Sequence, residues 1–234
     1  MVDRGANEGR PWPTGWTVEY VEVTGSTNTD LLATAGDRPD RSVRATGHQT
    51  AGKGRLDRRW DAPPGSNLLV SILFHDVPEH PGDLTRRVAL AAADACREVA
   101  GVDVVLKWPN DLLVGDGKLA GILAERNASG SVVVGIGLNV GWAPEGAARL
   151  GAGVAPLDVL RALLAAYDRL PADVGDRYRH ALGTLGRRVR VELPDGVVEG
   201  TATDVEPDGR LVLLDTCGVT HRLAAGDVVH LRPL

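Results

Sequence analysis

The 234-residue chain has little of what marks out several protein classes. It contains no run of about 18 apolar residues, so no segment reads as a membrane-spanning helix. Met1 to Trp16 mixes acidic and basic residues without an apolar stretch, and therefore does not read as a signal peptide. A cytoplasmic location is the expectation. Only two cysteines are present, Cys96 and Cys217, and neither belongs to a C-x-x-C pair or a Cys/His cluster of zinc spacing, which points to reduced, buried thiols. A net charge of −5 with no basic block argues against general nucleic-acid binding. Aromatic residues are scarce at 4%, yet 43% hydrophobic and 24% charged residues keep the chain in the soluble globular range and away from disorder. The sharpest scarcity is lysine: three of 26 cationic residues, Lys53, Lys107 and Lys118, the rest being arginine.

Patterning predicts two domains after a loose Gly/Pro-rich arm over residues 1–16. Residues 17–185 form an α+β unit and residues 186–234 a small SH3-like β-barrel. Thr17 to Val23 alternates like a half-buried strand, and Gly25-Ser26 offers a turn and N-cap before a short helix, Asn28 to Ala35. Strands are expected at Ser42 to His48 and Asn67 to Phe74, with a mobile loop, Gln49 to Pro64, between them. Leu84, Val88, Leu90, Ala91, Ala95 and Val99 mark a long helix, Pro81 to Gly101, stopped by its glycine. Val102 to Leu106, Leu112 to Val114, Lys118 to Glu125 and Ser131 to Gly137 read as a meander, with Gly115-Asp116-Gly117 as one hairpin turn. Helices follow at Pro156 to Leu170 and Asp173 to Leu182. Beyond Gly186 short strands alternate with Pro194-Asp195-Gly196, Pro207-Asp208-Gly209 and Gly226-Asp227.

Four stretches carry chemistry. In Gln49 to Trp60, glycines at alternate positions let backbone amides approach a ligand, and the cations draw phosphate or carboxylate; a solvated basic loop is the alternative. Lys107-Trp108-Pro109-Asn110-Asp111 sets costly polar groups inside an apolar strand pair, which a ligand, a metal or a β-bulge would explain. In Lys118 to Glu125, strict alternation puts Lys118, Ala120, Ile122 and Ala124 on one face and Leu119, Gly121, Leu123 and Glu125 on the other. Gly135-Ile136-Gly137-Leu138-Asn139 combines glycines that admit a close neighbour with an amide suited to the edge of a base; a β-bulge is the alternative.

Together with Ser26-Thr27-Asn28, these stretches in this order resemble the biotin protein ligases, over nearly the whole chain from Thr17 onward. The resemblance implies a class II synthetase-like mixed β-sheet flanked by helices. It also implies a two-step reaction in which biotin and ATP give biotinoyl-AMP and pyrophosphate, and a lysine of a biotin carboxyl carrier domain then takes the biotinoyl group. On that pattern Lys118 bridges the biotin carboxylate and the α-phosphate, with Arg55 clamping both. Ser26, Thr27, Asn28, Gln49, Gly52, Lys53, Gly54 and Gly121 complete the biotin site. Arg58, Trp60, Lys107, Asn110 and Asn139 are assigned to ATP and the adenylate, and Asp111 to Mg²⁺. The loop departs from the usual pattern, with Lys53 where arginine is common and Asp57 where glycine is common. It is expected to be disordered without ligand and to close over the intermediate. With fewer than 20 residues before the first expected strand, a ligase without DNA-binding repressor activity is the expectation. A lipoate ligase-like acyl transferase and a non-catalytic binder of biotin or of a carrier domain stand as alternatives, and a monomer or a homodimer both suit the chain.

Overall fold

A computed structural model describes residues 10–194 and 196–230. The first nine residues of the expected arm, Asp195 of the expected Pro194-Asp195-Gly196 turn and the last four residues lie outside the described residues.

Among the described residues, twelve strands and four helices follow one another as β1 (Thr17–Thr24), α1 (Thr27–Ala33), β2 (Ser42–Gln49), β3 (Leu68–Phe74), α2 (Gly82–Ala100), β4 (Val105–Lys107), β5 (Asp111–Val114), β6 (Gly117–Arg126), β7 (Val132–Leu138), α3 (Pro156–Asp168), α4 (Gly175–Ala181), β8 (Arg188–Leu193), β9 (Gly196–Val205), β10 (Leu211–Asp215), β11 (Thr220–Leu223) and β12 (Asp227–His230). A single 3₁₀ turn, Ala35–Asp37, follows α1. The first seven strands form one mixed sheet in the order β1-β2-β3-β7-β6-β5-β4, in which only β1 and β2 run parallel. The last five form an antiparallel sheet, β11-β10-β9-β8-β12, in which β11 and β12 are the two ends. Its buried side, including Val189, Val191, Ala202, Leu211 and Leu213, supplies the core expected of the small barrel.

Local chemistry set most of these limits. Gly101 ends α2 in the left-handed region at φ 65°, and Val102 N–H turns back to the Cys96 carbonyl. The next strand begins at Val105 rather than the expected Val102, pairing with a β5 that ends at Val114 before the Gly115 turn. Asp173 stays outside α4 because its carboxylate accepts the Gly175 N–H at 2.8 Å, as an Asx turn does. Gly115, at φ 57°, opens the two-residue β5–β6 hairpin as expected. Cys96 is buried, whereas Cys217 is exposed on the β10–β11 turn, where Asp215 accepts the N–H groups of Cys217 and Val219. The expectation of two buried thiols therefore holds for one.

The large sheet has two different faces. Val70, Ile72, Ile122, Val134 and Ile136 pack with α2 and α3 into the main core, while Leu73 and Val133 meet Leu31 and Ala35 at α1 on the other side. Between α1 and β6 that second face carries Ser71, Gly135 and Gly137 in place of large side chains. The small residues leave a hollow.

Candidate active site

The hollow is a cavity of about 270 Å³, lined from α1, β3, β5, β6, β7, the loop after β2 and the start of β12. Ser26 caps α1 by backbone conformation alone; its hydroxyl makes no capping bond and lines the cavity instead. Gln49, at the end of β2, accepts a hydrogen bond through Oε1 from the Thr27 N–H at 2.9 Å, and the same oxygen stands 3.0 Å from Thr27 Oγ1. Asn28 donates through Nδ2 to Glu125 Oε2 at 2.7 Å and to the Leu123 carbonyl at 3.2 Å, and accepts from the Ser71 hydroxyl at 2.5 Å. A Cβ at Gly135 would collide with Asn28 Oδ1, which is why β7 carries glycine there.

At the other end Lys118 Nζ pairs with Asp111 at 2.6 Å. The register between β5 and β6 shifts so that Leu112 faces Ala120 and Leu113 faces Lys118, leaving Leu119 as an extra residue. This bulge overturns the strict alternation expected of the strand: Leu119 and Ala120 are both buried, and Lys118 shares the cavity face with Gly121, where a Cβ would stand 3.2 Å from the lysine Nζ.

The loop after β2 folds back as a narrow hairpin. Gly54 N–H donates to the Arg58 carbonyl at 2.7 Å, Trp60 N–H to the Gly52 carbonyl at 3.1 Å, and Leu56 and Asp57 at the tip adopt φ 52° and 58°. Trp60 is seated against Gly121 and Gly137, which face each other across β6 and β7 and leave room for an indole. Its centroid lies 5.7 Å from Lys118 Nζ. Arg55 donates to Asn110 Oδ1 at 3.0 Å and to the Gly226 carbonyl at 3.2 Å, and Arg58 pairs with Asp227. The C-terminal sheet therefore reaches the loop.

Of the residues expected at the site, Ser26, Thr27, Asn28, Gln49, Lys53, Gly54, Arg55, Arg58, Trp60, Asn110, Asp111, Lys118, Gly121 and Asn139 line the cavity. Gly52 lies outside that lining, where a Cβ would collide with the Trp60 carbonyl. Lys107 does not line it and instead stands near His230 of the C-terminal sheet, where its charge, after burial itself, helps hold that imidazole below its ordinary pKa. Asn139 is 2% exposed, and its amide is already spent on the carbonyls of Lys118 and Ala148 and on Asn67 Nδ2. That bonding makes it a brace for the cavity wall, not a free edge for a base. Trp108, from the same motif as Asn110 and Asp111, is a buried strut whose Nε1 donates to the Gly209 carbonyl at 3.0 Å. Ser71, Glu125 and Asp227 were not singled out from the sequence. Ser71 sits in an otherwise apolar strand, the one signal that marked it.

A model of the biotin/lipoate A/B protein ligase family matches residues 20–141, and one of the biotin protein ligase C-terminal domain matches residues 184–231. The chain belongs to the biotin protein ligase family. Within it, the biotin-[acetyl-CoA-carboxylase] ligase of Mycobacterium tuberculosis is 43% identical over 93% of this chain and 91% of its own length. The namesake from Paracoccus denitrificans is 30% identical over 83% of this chain and 93% of its own. The biotin protein ligase of Aquifex aeolicus, solved in complex with biotin and ATP, shares the fold at a TM-score of 0.79 and 23% identity, covering 93% of this chain and 99% of that one.

Among the described residues no three metal-ligating side chains cluster. Asp111 is one carboxylate on the cavity wall, which suits a hard cation held mostly by substrate phosphates and water rather than by a protein cage. The residues fit Mg²⁺ on those terms.

Proposed function

We propose that this chain joins biotin to ATP to form biotinoyl-AMP and passes the biotinoyl group to a lysine of a biotin carboxyl carrier domain. The observation that carries the reading is the polarity of the cavity from end to end. One end gathers neutral amide and hydroxyl groups, Thr27, Asn28, Gln49 and Ser71, and the other gathers Lys118, Arg55 and Arg58. A ligand with a urea at one end and a carboxylate at the other satisfies both.

Bringing a carboxylate against an α-phosphate sets two anions together, and the residues at the charged end answer that repulsion. Lys118 leaves Asp111 for the two substrate anions; its compact ammonium fits a shared point between them. Arg55, already held by Asn110, clamps them from the loop side. Asp111, released from Lys118, would hold Mg²⁺ with the phosphates, and the ion when bound supplies charge neutralisation. The carboxylate oxygen bonds to phosphorus as pyrophosphate leaves. In the second step the carrier amine bonds to the carbonyl carbon, the carbonyl–oxygen bond to AMP breaks, AMP departs with the electron pair, and the amine nitrogen gives up one proton to solvent. Trp60, with Arg55 and Arg58 of the same loop on the cavity wall, keeps water from the anhydride.

Transfer of labelled biotin to a purified carrier domain, with and without ATP, tests the reading. ATP-dependent labelling with pyrophosphate release supports it. Biotin binding without pyrophosphate would leave a mere binder, and stabilisation by lipoate rather than biotin would move the chain to the lipoate side of its family.

A further inference from the structure

The neutral end of the cavity contains a chain of hydrogen bonds that can run in only one direction. A carboxylate and a carbonyl only accept, so Glu125 Oε2 and the Leu123 carbonyl both require the NH₂ of Asn28. Asn28 Oδ1 must then face Ser71, whose single hydroxyl proton is committed to it at 2.5 Å. The 2.6 Å contact between Ser71 and Thr27 is consequently one in which Thr27 donates. With that proton spent, the 3.0 Å contact between Thr27 Oγ1 and Gln49 Oε1 has none, although Gln49 Oε1 still accepts from the Thr27 N–H. Two acceptor oxygens are left side by side, with Thr27 only 3% exposed. In a buried site such a pair favours a donor set against it.

We propose that Glu125, acting through Asn28 and Ser71, sets the polarity of this end, so that Thr27 and Gln49 present acceptors to the N–H groups of a cyclic urea. The inference rests on the biotin reading and deepens it, adding Ser71 and Glu125 as residues that decide ligand specificity. Glu125 is a positioning residue, since it reaches the ligand only through Asn28. Lys53, whose Nζ lies 3.4 Å from Glu125 Oε1, takes the other oxygen and leaves Oε2 to the amide. That gives the unusual loop lysine a place in the scheme.

Calorimetric binding of biotin and desthiobiotin, which carry the same urea, tests the relay alongside ATP kinetics. Glu125→Gln keeps the shape but supplies an amide that can donate, so the shorter of the two contacts that orient Asn28 no longer dictates its direction and the 3.2 Å bond to the Leu123 carbonyl alone holds it. Affinity for both ligands should fall about tenfold, the worth of one hydrogen bond, with KM for ATP and Tm unchanged. Asn28→Asp alone sets two carboxylates together and should bind more weakly still. Combining it with Glu125→Gln restores one donor and one acceptor in exchanged order, and should recover at least tenfold over Asn28→Asp, a rescue that a merely structural role does not give. A Glu125→Gln affinity within twofold of wild type, or a double variant no better than Asn28→Asp, would overturn the relay. A wild-type chain that binds no biotin would instead overturn the reading beneath it.

Discussion

Replacing Gly137 by alanine should separate the stability of the sheet from the seating of the ligand loop. A Cβ there would stand 2.5 Å from Trp60 Nε1 and 2.7 Å from Cδ2, and closer still to Cε2. Carbon contacts sit at about 3.5–4.0 Å, so the indole would have to withdraw by about 1 Å. It has little freedom to do so, because Trp60 N–H is bonded to Gly52 and the flanking Lys53 and Arg59 are paired as a bridge. Overpacking of this kind costs about 1–3 kcal/mol. If ligand binding requires the seated indole, affinity for biotin and ATP together should drop by about 5-fold to 150-fold, at 1.4 kcal/mol per decade. The strand itself should gain, because alanine is roughly 0.5–1 kcal/mol better than glycine inside a strand. Gly137 is outside the positive-φ glycines, so alanine is not strained there. Thermal melts and titration calorimetry on the same protein read the two effects. Adding Trp60→Ala to Gly137→Ala should cost no further affinity beyond Trp60→Ala alone, since the clash is then gone. A Gly137→Ala variant that binds like wild type would refute the reasoning.

Lys118→Ala should abolish pyrophosphate release while leaving Tm within a degree or two, because the half-exposed pair with Asp111 contributes little to folding; unchanged release would remove the lysine from the chemistry. Asp227→Asn should release Arg55 and Arg58, and the readout is faster proteolysis within residues 50–60 together with a KM for ATP raised several-fold at constant Tm. Saturating biotin and ATP should slow that proteolysis in the wild type, and equal cleavage with and without ligand would count against loop closure. Burial, with the charges of Lys107 and Arg187, holds the His230 imidazole below its ordinary pKa of 6.5, so the folded state keeps it neutral and unfolding binds a proton. Its contribution is therefore intact above pH 6.5 and lost as pH falls below that, and His230→Asn should flatten the acid side of the stability curve measured by denaturant titration. Burial also pushes the Cys96 thiol up to about 12, so alkylation of the native protein should modify Cys217 and spare Cys96 until the chain is unfolded.

The elements legible in the chain were those governed by neighbours a few residues away. Gly101 stops α2, Gly115 turns the β5–β6 hairpin, and the 3.6-residue period of Leu84 to Val99 gives the buried face of the helix. Most of the site was legible as well, since residue types costly to bury stood together in short stretches, and 14 of the 16 residues assigned to it line the cavity. Gly52 and Lys107 did not follow, because a motif names neighbours in sequence while a cavity selects side chains by direction. Asn139 shows the same limit from inside: its amide is where it was expected, but its bonding capacity goes to Lys118, Ala148 and Asn67.

By itself the sequence determined the order of the elements, the family and the chemical character of the two ends of the cavity. Three lysines among many arginines already pointed to Lys118 as a place for a compact charge. What only the tertiary structure decided was orientation. One extra residue at Leu119 turns Lys118 onto the face of Gly121, a slip of register that depends on what β5 and β7 offer across the sheet. Ser71 acquires its role from Asn28, 43 residues away, and Glu125 from the same amide at 97. Asp227 meets the loop 169 residues before it. Such contacts are set by long-range strand pairing and by the packing of one sheet against another, which no local pattern of residues encodes.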